Sequence, residues 1–161
     1  MKLSLAAVSS FVAASVAASL PAAFTLVADG GNTVLTDGTN AYISKNGSDY
    51  PALDILILHS SNNQVTYTAE DSTPTGWQNL YVVEGKVDPI ALTVPHSGAT
   101  PDGANMTGFG MTDDGYFTFN GVQAFVVDPN AGERQEIYYQ SPNVPTPFTS
   151  AFLWVKECKG C

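Results

Sequence analysis

The sequence predicts a single all-β domain, a compact antiparallel arrangement of about a dozen short strands forming a sandwich or a barrel, with a β-trefoil as the alternative. Three observations lead there. From Phe24 onward, short runs rich in Val, Ile, Thr, Tyr and Phe are separated by Gly, Asn, Asp and Pro. Dipeptides suited to positive φ angles recur between the runs: Asp29-Gly30, Asp37-Gly38, Asn46-Gly47, Asp114-Gly115 and Asn120-Gly121. Helical periodicity of the apolar residues is nowhere evident past the N-terminal segment.

In chain order, strands are expected at Phe24–Ala28, Thr33–Thr36, Ala41–Ser44, Leu53–His59, Gln64–Ala69 and Trp77–Val83. The series continues with Ile90–Val94, Gly108–Thr112, Tyr116–Phe119, Val122–Val127, Glu136–Tyr139 and Ala151–Glu157. Between Leu53 and Leu58 all residues but Asp54 are large and aliphatic, which predicts a strand covered on both faces. Residues 113–125 place a turn, an aromatic strand, a second turn and another strand in succession, the pattern of a β-meander. The longest irregular stretch, Pro95–Asn105, is polar and rich in small residues and reads as a surface loop. Segments beginning at Thr36-Asp37-Gly38, Val83-Glu84-Gly85 and Asp113-Asp114-Gly115 each lead into an apolar strand. Their uneven spacing keeps the trefoil open without selecting it.

The N-terminus reads as a secretory signal over residues 1–18, followed by one extracellular domain over 19–161. Lys2 supplies the basic tip, Leu3–Ala18 the apolar core, and Val16-Ala17-Ala18 the small residues that a signal peptidase accepts. A membrane anchor is the competing reading, but five serines dilute the run and Pro21 interrupts it. The mature form is therefore expected to be soluble, without a membrane segment. The net charge of −9 rests on fifteen acidic and six basic side chains, and departure of Lys2 makes it more negative. Such a chain repels nucleic acid and anionic membranes, both of which demand clustered Lys and Arg. Two sequons, at Asn46 and Asn105, lie in turn-like surroundings and are expected to carry glycans in a secreted protein.

Catalytic constellations are weak. His59 and His96 are the two histidines, and although Ser60 and Ser61 follow His59, there is no Gly-x-Ser-x-Gly elbow. Paired carboxylates would suit glycoside hydrolysis, yet Asp113-Asp114 directly precedes Gly115 as a turn former, and Glu133 and Glu136 flank Arg134 in a polar connector. Cys158 and Cys161 form a C-x-x-C after the last strand, with no companion pair for zinc. A local Cys158–Cys161 disulfide is expected, with intermolecular bonding as the alternative. No metal or cofactor is expected. Aromatic side chains that could stack on sugar rings are Trp77, Tyr81, Tyr138, Tyr139 and Trp154, each with core packing as its competing role. Of the adjacent Tyr138 and Tyr139, one must face outward in a regular strand.

Gly108-Phe109-Gly110-Met111, Asp114–Gly121, Ala124–Pro129, Glu136–Tyr139 and Pro147–Phe152 together resemble the corresponding run of fungal cell-wall proteins of the phialide-associated (PhiA-like) group. Phe24–Ala28 after the signal also resembles the group's start. The two cysteines that the family places after the equivalent of Ala124–Val127 and before the final strand are not present. The resemblance implies a secreted, wall-associated structural or interaction protein of a fungal cell surface, without catalytic activity. Its expected partners are cell-wall polysaccharide or other wall proteins. A carbohydrate-binding, lectin-like module and a small secreted glycoside hydrolase are the alternatives.

Overall fold

The computed structural model describes residues 18–45, 53–73 and 75–161. The expected signal peptide, apart from Ala18, and the first sequon asparagine, Asn46, lie outside the described residues. Among the described residues the chain forms sixteen short strands and no helix. The first eight are β1 (Ala23–Ala28), β2 (Val34–Thr36), β3 (Ala41–Ser44), β4 (Asp54–Ile55), β5 (Leu58–Ser61), β6 (Gln64–Tyr67), β7 (Gln78–Val83) and β8 (Val87–Pro89). Then follow β9 (Ala91–Leu92), β10 (Ala104–Asn105), β11 (Phe109–Met111), β12 (Phe117–Phe119), β13 (Phe125–Val127), β14 (Arg134–Gln140), β15 (Thr149–Ser150) and β16 (Leu153–Glu157).

All pairings are antiparallel, and they build two seven-stranded sheets and a hairpin. Sheet one runs β10-β7-β6-β5-β1-β16, with β9 also on β7; sheet two runs β15-β13-β14-β3-β2-β4, with β8 also on β14. The hairpin is β11–β12. The architecture is sandwich-like, with open sheets in place of a closed barrel, and the strands do not recur in the threefold order of a trefoil. In sheet two β14 is the spine: β13 lies along one side, while β3 and β8 follow one another in register along it. Pro89 is accommodated because it sits on β8, a short strand whose one assigned partner is β14.

Alternation sets which side chains reach the core. Phe24, Leu26 and Ala28 of β1, Leu80 and Val82 of β7, Ile137 and Tyr139 of β14, and Leu153 and Val155 of β16 are all buried. Into this layer the hairpin inserts aromatic rings. Phe117 lies 6.0 Å from Phe24 of sheet one and 5.3 Å from Phe125 of sheet two, centroid to centroid. Phe119 meets Tyr139 of sheet two edge-on at 5.1 Å, and Phe109 stacks on Phe117 at 5.4 Å. Gly108, at φ +109°, leads into the hairpin in a conformation that favours glycine, and a Cβ there would push the Asn120 side chain aside. A second tie between the sheets is polar. Gln78, 4% exposed, donates through Nε2 to the carbonyls of Gly38 in the β2–β3 turn (2.8 Å) and of Thr93 after β9 (2.6 Å).

Two expected elements take different paths. The apolar run Leu53–His59 is not one strand: β4 pairs with β2 in sheet two, β5 pairs with β1 and β6 in sheet one, and the chain crosses between them at Leu56-Ile57. Leu56 and Leu58 are buried and Ile55 is half exposed, so the apolar residues serve a crossing and not a doubly covered strand. The expected meander also opens. Asn120 (φ 50°) and Gly121 (φ 76°) make the tight turn, with reciprocal bonds between Phe119 and Val122, but the chain then leaves for β14 and β15. Strands β8, β10 and β15 were outside the expected set. Each has two or three residues and no alternation long enough to read.

Replacing Phe117 by Ala removes the ring that touches both sheets and should lower the unfolding free energy by about 3–5 kcal/mol. The measurement is a shift of the denaturant midpoint at constant slope. A loss under about 1 kcal/mol would show that the sheets hold together without the hairpin's ring.

Candidate functional site

On β16 the buried Leu153 and Val155 alternate with an outward Trp154, 47% exposed, and the same parity puts Phe152 outward at 44%. The β11–β12 turn arrives beside them. Thr112 organises that turn: its carbonyl accepts from the Gly115 N–H (2.9 Å) and its hydroxyl from the Tyr116 N–H (3.0 Å). The carbonyl of Gly115 in turn accepts from the Val155 N–H at 2.8 Å. Gly115 has φ +90°, and a Cβ on it would lie 3.3 Å from the Trp154 ring, so the turn's backbone rests on the indole. Tyr116 then stands edge-on to Trp154 at 5.1 Å and to Phe152 at 6.1 Å. The result is an aromatic cluster open to solvent at the edge of sheet one, on a chain of net charge −9.

Trp77 lies just before β7 at the other side of sheet one and is 50% exposed. It walls a groove of about 320 Å³ completed by Asn79, Thr93, His96 and Ser97. The floor is fixed by backbone: the Asn79 N–H donates to the Thr93 hydroxyl, and the Thr93 N–H donates to the Asn79 carbonyl, both at 2.9 Å.

The two adjacent tyrosines of β14 separate. Tyr139, 3% exposed, belongs to the core beside Phe119 and is not available as a sugar platform, which corrects the expectation for that residue. Tyr138 faces outward, 4.9 Å from Phe148. Its hydroxyl donates to Glu136 Oε2 at 2.7 Å while Asn40 Nδ2 donates to Oε1 at 2.6 Å. Alongside, Arg134 lies 4.0 Å from the centre of the Tyr42 ring, and the Tyr42 hydroxyl donates to Asp37 at 3.0 Å. The bond to Glu136, helped by burial, holds the Tyr138 proton up to about pKa 12. Burial pushes Asp37 upward, yet the N–H groups of Asn40 and Thr39, the Tyr42 hydroxyl and Arg134 together bring it below the usual carboxylate value. These groups satisfy one another, so this face reads as a polar brace on sheet two.

A cleft of about 590 Å³ gathers Asp54, His59, Tyr67 and Glu70, with Cys161 on its rim. Asp54 and Glu70 are both exposed, as are Asp113 and Asp114 in their turn. A general acid needs a carboxyl held protonated by an apolar setting, and none of these four has that setting. Among the described residues no group of three or more His, Cys, Asp or Glu side chains is disposed to hold a metal ion. Cys158 and Cys161 are joined to each other, and the Cys158 N–H donates to the Ala23 carbonyl at 2.9 Å, extending the β1–β16 pairing. Asn105 of the second sequon lies half-buried on β10, its Oδ1 accepting from both the N–H and the hydroxyl of Thr107.

No family model, no curated protein and no solved structure matches this chain. Of the expected aromatics, Trp154, Trp77 and Tyr138 reach the surface at three separate places, Tyr81 is half-buried on β7, and Tyr139 is buried. Tyr116 and Phe152 were not anticipated. The spacing of Phe152, Trp154 and Lys156 carried a signal for Phe152, whereas Tyr116 joins them only through its bridge to Trp154.

Glu136→Gln removes the carboxylate that holds the Tyr138 proton, so the Tyr138 pKa should fall from about 12 toward the ordinary value of 10.0. Tyrosinate absorbance in an alkaline titration reads this directly. Because the folded pKa lies above the unfolded one, the bond's stabilisation is complete below about pH 10 and is lost as pH rises toward 12. An unchanged titration in the variant would assign the shift to burial instead.

Proposed function

We propose that this protein is a secreted, wall-associated interaction protein of a fungal cell surface, and that it binds neutral cell-wall polysaccharide through exposed aromatic rings. The observation that carries the reading is the cluster of Tyr116, Phe152 and Trp154. Two exposed rings, Phe152 and Trp154, held by the half-buried Tyr116, form an apolar patch of the kind that marks an interaction surface. A pyranose ring offers a face of C–H groups, which packs on the electron-rich face of an aromatic ring. Fifteen acidic side chains disfavour anionic partners and leave neutral glucan or chitin unopposed. The resemblance to the phialide-associated group supports the wall location and a role without catalysis.

A glycoside hydrolase is less well supported. Asp54 and Glu70 share a cleft with His59, but both carboxyls are exposed, and neither has the desolvated setting that a proton-donating acid requires.

The protein should be retained on insoluble β-glucan or chitin, with competition by soluble oligosaccharide and little dependence on salt. Trp154→Ala should weaken retention by about tenfold or more, the equivalent of ~1.4 kcal/mol, with a small change in melting temperature. Full retention by the variant, or no retention of the parent on either matrix, would overturn the reading.

A further inference from the structure

Among the described residues, Asn79 Oδ1 is the one buried side-chain polar atom without a hydrogen-bond partner. It belongs to a residue that lines the Trp77 groove. Buried acceptors are almost always paired, because water lost on burial must be replaced. Its neighbours are engaged elsewhere: Gln78 donates twice through Nε2, to the carbonyls of Gly38 and Thr93, and the Thr93 N–H donates to the Asn79 carbonyl. The oxygen itself is buried as it stands, but Asn79 lines the groove, and the broad Cβ–Cγ torsion of asparagine lets the amide turn to meet an incoming donor.

We infer that the groove beside Trp77 is a second glycan-binding site, taking one pyranose residue that stacks on the indole and donates an O–H or N–H to Asn79 Oδ1. The half-exposed indole supplies an apolar wall, and His96 and Ser97 supply polar groups to the lining. The backbone bonds between Asn79 and Thr93 keep the floor in place before a ligand arrives, which lowers the ordering cost of binding. The site is separate from the Trp154 cluster but faces the same way. Trp77 shares the outward parity of Asn79 and Tyr81, opposite the buried Leu80 and Val82, just as Trp154 alternates with buried Leu153 and Val155. The order β7-β6-β5-β1-β16 puts the two indoles on the outward side of the same sheet, four strand spacings apart.

The chain has two tryptophans, so an ¹⁵N-labelled sample gives two indole N–H signals, one for each site. The probes are short soluble oligomers of β-1,4-linked N-acetylglucosamine and of β-1,3-linked glucose, titrated into the low millimolar range. The expected result is a saturable shift of the Trp77 signal with at least one probe. Asn79→Leu should weaken that titration at least tenfold while leaving the Trp154 response and the fold intact, because the oxygen removed makes no bond in the free protein. Asn79→Ala is the second variant should Leu disturb the groove. A Trp77 signal that stays fixed while Trp154 moves overturns this inference and leaves the Trp154 reading standing. Movement of Trp77 alone supports this site and overturns the other. Fixed signals at both positions overturn both readings. An Asn79 variant that folds and titrates Trp77 as the parent does overturns the role of the amide, and with it the site as described.

Discussion

The rings of Phe117 and Phe119 occupy the space between the two sheets, and the remaining architecture is arranged around them. Phe117 touches Phe24 on one side and Phe125 on the other, so a single side chain reports on the separation of both sheets. The hairpin that carries it belongs to neither sheet. That independence has a consequence at the surface. Tyr116, the residue before Phe117, joins Trp154 and Phe152 on the outside while its neighbour fills the core. Packing of the interior thus fixes where the aromatic cluster stands, and a hairpin that shifted to relieve a core defect would displace the cluster with it.

Charge contributes little to holding this fold. The ion pairs Lys86–Asp88, Arg134–Asp37 and Lys159–Glu157 all lie on partly or fully exposed side chains, where such pairs are worth little. The polar contribution that matters is local and buried. Gln78 joins the β2–β3 turn to the chain after β9, and losing it would strand two carbonyls away from water. With six basic side chains against fifteen acidic ones, most carboxylates have no cationic partner and remain hydrated on the surface. A neutral, hydroxyl-rich polymer is a partner such a surface can approach without repulsion, and aromatic rings are the groups best placed to hold it.

The sequence is legible where alternation is long and turns are chemically marked. Strand β1 shows its buried Phe24, Leu26 and Ala28 in the pattern itself, and Asp37-Gly38 and Asn120-Gly121 mark turns that form as their dipeptides require. It is less legible where apolar residues do a different job. Leu53–Leu58 resembles a doubly covered strand because a chain crossing from one sheet to the other must also bury its side chains, and a run of leucine and isoleucine does not distinguish the two. The site divides in the same way. For β14 the sequence requires one of Tyr138 and Tyr139 to face outward without choosing between them, and the packing of Tyr139 beside Phe119 decides it. The meeting of Tyr116 with Trp154 depends on a long-range bridge that no local pattern encodes.

Strand β16 closes one edge of sheet one, and an unpaired edge invites association with other chains. The β11–β12 turn covers part of that edge: the Val155 N–H donates to the Gly115 carbonyl, and Tyr116 bridges to Trp154. Edge protection accounts for the backbone of the turn and for Gly115, whose lack of a side chain lets it lie on the indole. It does not account for the rings. A short polar residue at 116 and another at 152 would leave the covering bonds in place and would spare the protein the cost of aromatic surface in water. The exposure of Phe152 and Trp154, packed against the half-buried Tyr116, is therefore a feature the fold does not require. A partner that stacks on them, as proposed above, would give such a patch a physical reason.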